Sequence, residues 1–362
     1  MSVTETQWLR TRRYLERNRF ELGVAAAGDY GDDERFFGTP LLTRSSFVPP
    51  DPIPLDAIEL TLDARPAARP TSREYGAVLP AGERYRNYSD AYRELAVPAR
   101  VLDNRETYRL TSADLATAPA RLGFGLGRYF DGIDTGEAAA HAFAARRRGE
   151  DPGRIRDRIA DPRDLSARPV NMAVSALTLR RDASTGDAEF FLHWRDPEKV
   201  AHAGGLFQVV PSGVFQASGE DACNRDNDFS LARFLAREYA EELGGRAEAY
   251  DNDDRGIDYT AWPFARDFLA HLSGGAIRAW CVGLGVDPLT YATDLIAVLV
   301  FDAGVFDSLF GQVVTENDEG RVLAGRPFTE AEVARLVARE RMQAAGAGLL
   351  AAAWHHRSFI LA

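Results

Sequence analysis

The sequence has few cysteines, a single lysine and no long apolar run. The two cysteines, Cys223 and Cys281, lie far apart and outside any metal-binding spacing, so we expect free thiols and neither a disulfide framework nor structural zinc. No segment approaches the roughly 18 apolar residues of a membrane span, and the first residues lack the apolar core of a signal peptide. We therefore expect a cytoplasmic protein that does not insert into membranes.

Charge is distributed unevenly along the chain. Residues 1–170 contain 26 basic and 26 acidic side chains, whereas residues 171–362 contain 17 and 28 and so account for the whole net charge of −11. An acidic half repels phosphate backbones, which argues against nucleic acid as a partner. The same excess of carboxylates suits a site that recruits cations.

The length of 362 residues allows two domains, and the composition changes once along the chain. Residues 149–169 are rich in Asp, Arg and Pro and form the candidate boundary. We predict an N-terminal α+β region at residues 1–165 and a second domain at residues 166–362. The fold class is α/β (α+β): a mixed sheet between helices, with the N-terminal region packed on it.

Hydrophobic periodicity predicts the elements of both regions. The N-terminal region should contain helices at 1–22, 89–97 and 134–148 and strands at 57–62 and 107–110. The second region should contain strands at 172–181, 190–194, 206–211, 277–282 and 295–301 and helices at 228–243, 264–272, 330–337 and 344–354.

The helix predicted at 228–243, which we expect Asp228 to cap, has an unusual arrangement of acids. At about 100° per residue, Glu238, Glu241 and Glu242 fall on the side of Leu231, Phe234 and Leu235, which should face the core. Arg233, Ala236, Arg237 and Ala240 fall on the other side. Carboxylates on an inward face are costly unless a positive charge compensates them, and a bound Mg²⁺ ion would do so. The alternative is a salt-bridged solvent face, which such acidic runs often form.

The stretch from Arg237 to Gly244 (REYAEELG) resembles the Nudix box, a loop–helix–loop motif. Arg237, Glu238, Glu241, Glu242 and Gly244 match its core spacing, and Gly213 resembles its opening glycine. The resemblance implies that Glu238, Glu241 and Glu242 bind Mg²⁺ or Mn²⁺, that one of them can also act as base, and that Arg237 orients a carboxylate. It further implies metal-assisted attack of water on a diphosphate linked to another group.

The loop half of the motif departs from the family pattern. Six residues instead of five separate Gly213 from Glu220, and sixteen instead of seven separate Glu220 from Arg237. An insertion around residues 221–227 accounts for the extra length, and it leaves open whether Glu220 is a metal ligand.

Three functions remain open from the sequence. The first is a Mg²⁺-dependent Nudix-type hydrolase in which Glu241, Glu242 and Arg237 act on a nucleoside diphosphate derivative. The second is a catalytically inactive Nudix-like module that binds a nucleotide or metabolite for regulation, which the stretched loop favours. The third is a structural scaffold whose acids are paired with neighbouring arginines. The expected partner in the first two is a nucleotide-type small molecule, and a homodimer is compatible with the sequence.

Other polar clusters have a functional and a structural interpretation. Arg84 and Arg86 alternate with tyrosines and could contribute to substrate binding together with Gly213, or the aromatic residues could simply pack. Glu137 and His141 have the i, i+4 spacing of metal ligands, but an ordinary polar pair is the stronger interpretation. Glu316 and Glu319 could supply a base from a loop outside the motif, or lie in a solvated turn.

Overall fold

Two β-sheets organise the chain, which a computed structural model describes over residues 3–66, 70–96, 103–196, 204–245, 256–311 and 320–362. Within these ranges the strands are β1 (Ile53–Pro54), β2 (Glu59–Pro66), β3 (Glu106–Asp114), β4 (Arg121–Arg128), β5 (Met172–Arg181), β6 (Ala188–Arg195), β7 (Phe207–Val209), β8 (Ser212–Val214), β9 (Ile277–Val286), β10 (Thr293–Asp302) and β11 (Gly320–Pro327). The α-helices are α1 (Glu5–Arg17), α2 (Arg19–Ala27), α3 (Tyr88–Leu95), α4 (Tyr129–Gly132), α5 (Ala138–Arg147), α6 (Ile155–Ile159), α7 (Ala222–Asp228), α8 (Leu231–Glu242), α9 (Pro263–Ser273), α10 (Ala303–Phe310), α11 (Glu330–Arg339), α12 (Ala344–His355) and α13 (Arg357–Ile360).

The larger sheet is mixed. Its main order is β1-β9-β10-β5-β6-β11, with β7 paired to β6 and β8 paired to β5. Only β10 and β5 run parallel among these pairs, and the others are antiparallel. The smaller sheet, β2-β4-β3, belongs to the N-terminal part of the chain.

Helices cover both faces of the larger sheet, as the sequence predicts. Successive side chains of a strand point to opposite faces. On β5, Val174 and Ala176 join the hydrophobic cluster that contains residues of α8 and α9, whereas Leu177 and Leu179 join the cluster that contains residues of α11 and α12. The fold is therefore α+β, with a mixed sheet between helical layers.

The N-terminal residues share the first of these clusters. Leu110 of β3 and Phe124 of β4 are buried with Val174 of β5 and Phe234 of α8. The smaller sheet thus packs on the same core as the larger one. The division of the chain at residue 165 stays a prediction.

Two neighbouring strands of the larger sheet, β5 and β6, are paired over only part of their length. β5 pairs with β6 only at Leu179–Arg181, and β8 occupies the place beside β5 at Ala173–Ser175. The strands β5 and β6 therefore diverge, and the short strands β7 and β8 lie where they separate.

Two predicted helices differ from the structure. The helix predicted at 1–22 is two helices, because Asn18 leaves the helical conformation and ends α1. The helix predicted at 134–148 begins as a π-helix, Ile133–Glu137, and continues as α5. Within the described ranges, none of the helices combines the length and the apolar character that a membrane crossing requires.

Candidate functional site

A cavity of about 350 Å³ opens where β5 and β6 diverge, and we call it the carboxylate cavity. Its charged lining residues come from both parts of the chain: Glu137, Arg168, Arg195, Glu238, Glu241, Glu242 and Asp294. Its polar lining includes Gln208, Ser212, Gln216 and Gln343. A pocket of this size with several converging polar groups is the kind in which proteins bind small molecules.

A larger groove of about 490 Å³ lies between β1, β9 and the start of α8. Its walls are mostly apolar, and its charged lining residues are Asp56 and Arg278. Because titratable groups converge in the carboxylate cavity and not in this groove, the cavity is the candidate active site.

Helix α8 carries the three glutamates, and local contacts fix its start. Ser230 is its N-cap, and its hydroxyl accepts a hydrogen bond from the Arg233 amide at 3.4 Å. The sequence predicts Asp228 as the cap, and this is wrong. Asp228 ends the preceding helix α7, where its buried carboxylate accepts hydrogen bonds from the Ser218 amide at 2.7 Å and the Tyr259 hydroxyl at 2.8 Å.

The insertion in the motif therefore has a structure of its own. Residues 222–228 form α7, and Asp228 ties the end of that helix to Ser218 and Tyr259. The extra residues fold as a helix before α8 and do not extend α8 itself.

The glutamates of α8 occupy the cavity at different depths. Glu242 is buried, and its Oε1 accepts a hydrogen bond from the Ser212 amide of β8 at 2.7 Å. Its Oε2 lies 3.6 Å from Nδ1 of the fully buried His193. Glu238 and Glu241 are half-buried. All three glutamates line the carboxylate cavity.

Gly213 of β8 lies directly against Glu238. A Cβ atom at this position would lie 2.1 Å from Glu238 Oε2, so only glycine leaves the carboxylate its place. The opening glycine of the motif and a glutamate of its helix are thus brought together, although 24 residues separate them in the sequence.

The opposite side of α8 is buried as well, which the sequence analysis did not anticipate. Ala236, Ala240 and Arg237 are 0%, 2% and 4% exposed. Arg237 donates a hydrogen bond from Nη2 to the Gln216 carbonyl at 2.6 Å and lies over the Phe234 ring. This side is buried because α9 packs against α8 and because Arg237 contacts the loop after β8.

The N-terminal part of the chain forms a second wall of the cavity. Gly132, Ile133, Gly136 and Glu137 line it, three of them within the π-helix, a form of helix frequent at functional sites. A Cβ atom on Gly136 would lie 2.1 Å from the Thr290 carbonyl oxygen, so the π-helix abuts the loop before β10.

Glu137 is fully compensated within this wall. Its Oε1 accepts from Arg19 Nη1 and its Oε2 from Arg19 Nη2, both at 2.9 Å, and Arg12 Nη1 donates to Oε2 as well. All three side chains are buried. His141 is buried one turn further along, where burial lowers its pKa to about 3. The two residues are therefore part of a polar network and do not form a metal pair.

The loop before β10 and the first residues of that strand form the third wall. Tyr291 has a φ of 59°, an uncommon backbone conformation for a bulky residue, and its buried ring lies beneath the guanidinium groups of Arg156 and Arg168. Burial lowers the pKa of Arg168 to about 10. Three residues after Tyr291, burial raises the pKa of Asp294 to about 6.

The remaining predicted residues lie elsewhere. Glu220 is exposed and accepts hydrogen bonds from the Glu106 amide at 2.8 Å and from Arg128 Nη1 at 2.7 Å, so it joins the smaller sheet and not the cavity. Arg84 and Arg86 do not line the cavity, and Arg84 pairs with Glu94. The neighbouring tyrosines Tyr85, Tyr88 and Tyr92 are buried, which agrees with the packing interpretation. Glu316 and Glu319 lie outside the described residues.

The side chains of the described residues do not form a ready metal site. Among these residues, no group of three or more His, Cys, Asp or Glu side chains is arranged to hold a metal ion. One oxygen of Glu242, Oε1, already accepts a hydrogen bond from the backbone of β8.

No protein-family model and no curated protein sequence matches the chain. One solved structure with some likeness is a Nudix hydrolase from Alicyclobacillus acidocaldarius, at 18% sequence identity. The match covers 46% of this chain and 82% of that one, with a TM-score of 0.24. A TM-score this low carries no argument about fold or function.

Sequence reasoning missed Arg168, Arg195 and Asp294 among the charged residues that line the cavity, and it neither placed Glu137 in a wall nor connected His193 with Glu242. One signal for Asp294 is present in the sequence. It is an acid at the start of a strand whose next seven residues are apolar (LIAVLVF), and such a strand is expected to be buried.

Proposed function

We propose that the chain is a Nudix-type hydrolase that uses Mg²⁺ or Mn²⁺ to cleave a diphosphate linkage in a nucleoside diphosphate derivative. The observation that carries this proposal is the convergence of Glu238, Glu241 and Glu242 from one helix on a cavity that also receives Arg195 and Asp294. A cation and a phosphate group together account for both signs of charge there.

The donor set fits such a cation in chemical type. Mg²⁺ and Mn²⁺ prefer oxygen ligands, and the glutamates of α8 offer carboxylate oxygens. The absence of a side chain at Gly213 leaves the place beside β8 that the Glu238 carboxylate occupies. Like charges on one helix repel each other, so we expect their side chains to spread apart without a cation and to gather around one by rotation of the side chains.

The residues of the cavity would have different roles in this reaction. Glu238, Glu241 and Glu242 would hold the cation, which polarises the diphosphate when it is bound. Arg195 would donate to phosphate oxygens, for which a guanidinium is well suited. Arg237 would act indirectly, because its hydrogen bond to the Gln216 carbonyl fixes the loop after β8 against α8. The N-terminal wall would close the site against water on the side of Glu137.

A screen for phosphate release tests this function. The protein is incubated with Mg²⁺ and a panel of nucleotide sugars, dinucleotides, ADP-ribose and coenzyme A. We expect turnover of at least one class and a loss of about 100-fold or more in kcat in the Glu241→Gln/Glu242→Gln double variant. Glu220→Gln is the matched control, since it makes the same change outside the cavity and should leave turnover intact. Absence of turnover across the panel would contradict the proposed activity.

A second candidate is a non-catalytic module that binds a nucleotide or metabolite. The observation that favours it is the course of the stretched loop, which directs Glu220 to Arg128 and away from the cavity. This candidate predicts that cation and nucleotide bind, with measurable heats, and that no phosphate is released.

A further inference from the structure

Asp294 is a buried carboxyl group in the carboxylate cavity that has no arginine partner among the described residues. It is 7% exposed and stands at the start of β10, where it pairs in register with Ala173 of β5. Ala173 in turn pairs with Val214 of β8, the residue after Gly213. Asp294 therefore lies two strands away from the glycine that contacts Glu238.

One oxygen of this carboxyl group is held and the other is available. Ser175 Oγ donates to Asp294 Oδ1 at 2.8 Å. Because Ser175 Oγ itself accepts from Gln208 Nε2 at 3.3 Å, its own proton is directed to Asp294. No hydrogen bond to Oδ2 is present among the described residues. The group is thus oriented by neutral partners, and its second oxygen can accept a proton.

The surrounding charges favour proton exchange near neutral pH. Burial raises the pKa of Asp294 to about 6, the hydrogen bond from Ser175 opposes this rise, and the charge of Asp287 adds to it. The other charged groups of the cavity are Glu238, Glu241 and Glu242 on α8, Arg195 on β6, Arg168 before β5 and Glu137 on the π-helix. Glu137 has both oxygens engaged by Arg12 and Arg19, so it is poorly placed to accept a proton.

We infer that Asp294 is the general base of this site, the group that takes the proton of the attacking water. This inference rests on the proposed hydrolysis. In the step, the water oxygen forms a bond to phosphorus while its proton moves to Asp294 Oδ2. The bond from phosphorus to the bridging oxygen breaks, and its electron pair leaves with the second phosphate. The protonated carboxyl then returns its proton to solvent, and Ser175 keeps the carboxyl oriented throughout.

Asp294→Asn tests this role, with Asp134→Asn as the matched control. Asp134 is a half-buried carboxyl group whose pKa is likewise raised by burial to about 6, but it does not line the cavity and accepts a hydrogen bond from the Ser89 amide. We expect Asp294→Asn to lower kcat by about 100-fold or more with little change in KM, because general base catalysis contributes about that much. The wild-type rate should rise with pH through an apparent pKa near 6, and this acid limb should vanish in Asp294→Asn and persist in Asp134→Asn.

Two further measurements separate chemistry from structure. Ser175→Ala removes the hydrogen bond that opposes the raised pKa of Asp294, so the acid limb should move to higher pH. Infrared difference spectra of the cation-free protein should contain protonated carboxyl absorption that titrates near pH 6, and it should decrease in Asp294→Asn by the contribution of Asp294 while that of Asp134 persists.

The possible results are distinct. Full turnover in Asp294→Asn, or an unchanged acid limb in Ser175→Ala, would overturn the role of Asp294 and leave the proposed hydrolysis standing. Absence of turnover in the wild type over the whole panel would overturn the hydrolysis, and the role of Asp294 with it, whatever the infrared titration gives.

Discussion

Glu137 and Asp294 are two buried carboxylates in different walls of one cavity, and their hydrogen-bond partners differ in kind. Glu137, in the N-terminal wall, receives hydrogen bonds from two buried arginines. Asp294, in the sheet wall, is held by a single serine hydroxyl. Removal of one partner from a buried ion pair leaves an uncompensated charge and is strongly destabilising, whereas a carboxylate that is buried without a cation costs stability and has an increased proton affinity. Glu137 is therefore expected to have a structural role, and Asp294 a role in proton transfer.

Removal of the charge of Glu137 should have the largest effect on stability. Glu137→Gln leaves Arg12 and Arg19 buried without their counter-charge, and we expect a loss of about 3–5 kcal/mol in the free energy of unfolding. Chemical unfolding followed by circular dichroism measures it. Glu16→Gln removes the exposed partner of the same Arg12 and should cost about 1 kcal/mol or less. Equal losses in the two variants would contradict the structural role of Glu137.

The matching change in the sheet wall should have the opposite sign. The pKa of Asp294 is raised in the folded state to about 6, so the native protein binds more protons than the unfolded chain between about pH 4 and pH 6. The contribution of Asp294 is therefore fully present below about pH 4 and is lost as the pH rises through 6. Asp294→Asn should be more stable than the wild type by about 3 kcal/mol at pH 7, and equal to it near pH 4.

Unfolding curves of the wild type and Asp294→Asn at several pH values test this sign. A variant that is less stable than the wild type at pH 7 would mean that the ionised carboxylate has an attractive partner in the folded protein. Asp294 would then resemble Glu137 in having a compensating charge.

A smaller effect is expected from the glycine beside Glu238. Gly213→Ala places a methyl group where Glu238 Oε2 now lies, and the carboxylate must turn away. We expect an approximately 10-fold loss of Mn²⁺ affinity, measured by calorimetry, comparable to the loss of an orienting contact at a metal site. In the control, Gly23→Ala, the added methyl group meets no atom within 4 Å, so cation affinity should not change. Unchanged Mn²⁺ affinity in Gly213→Ala would mean that Glu238 is not a ligand of the cation.

The smallest effect should come from the exposed arginines of the N-terminal part. Arg84→Ala and Arg86→Ala change residues outside the cavity, and the pair formed by Arg84 and Glu94 is partly exposed. We expect kcat and KM to stay within about twofold of the wild type, and stability within about 1 kcal/mol. A KM that rises about tenfold in either variant would restore these residues as a substrate-binding surface.

The sequence predicts the elements better than it predicts the contacts between them. The bounds of β5 agree residue for residue, because a mostly apolar run leads into a turn at residues 182–187. The predicted start of α8 is wrong by three residues. The carboxylate of Asp228 accepts hydrogen bonds from Ser218 and Tyr259 instead of capping α8, and the local sequence pattern does not predict such tertiary contacts.

Some residues of the candidate site can be predicted from local sequence, and others depend on the fold. Glu238, Glu241 and Glu242 lie on one helix, so their common direction follows from helical periodicity. Glu137 and Asp294 line the same cavity as these glutamates only because a π-helix and a parallel strand from distant parts of the chain meet there. Their place in the cavity therefore depends on tertiary structure.

The central claim is that the glutamates of α8 form a cation site in this cavity, and a calorimetric titration with Mn²⁺ tests it most directly. The account predicts a saturable heat of binding in the wild type, its loss in the Glu238→Gln/Glu241→Gln double variant, and its retention in Glu220→Gln. No heat in the wild type, or an undiminished heat in the double variant, would contradict it.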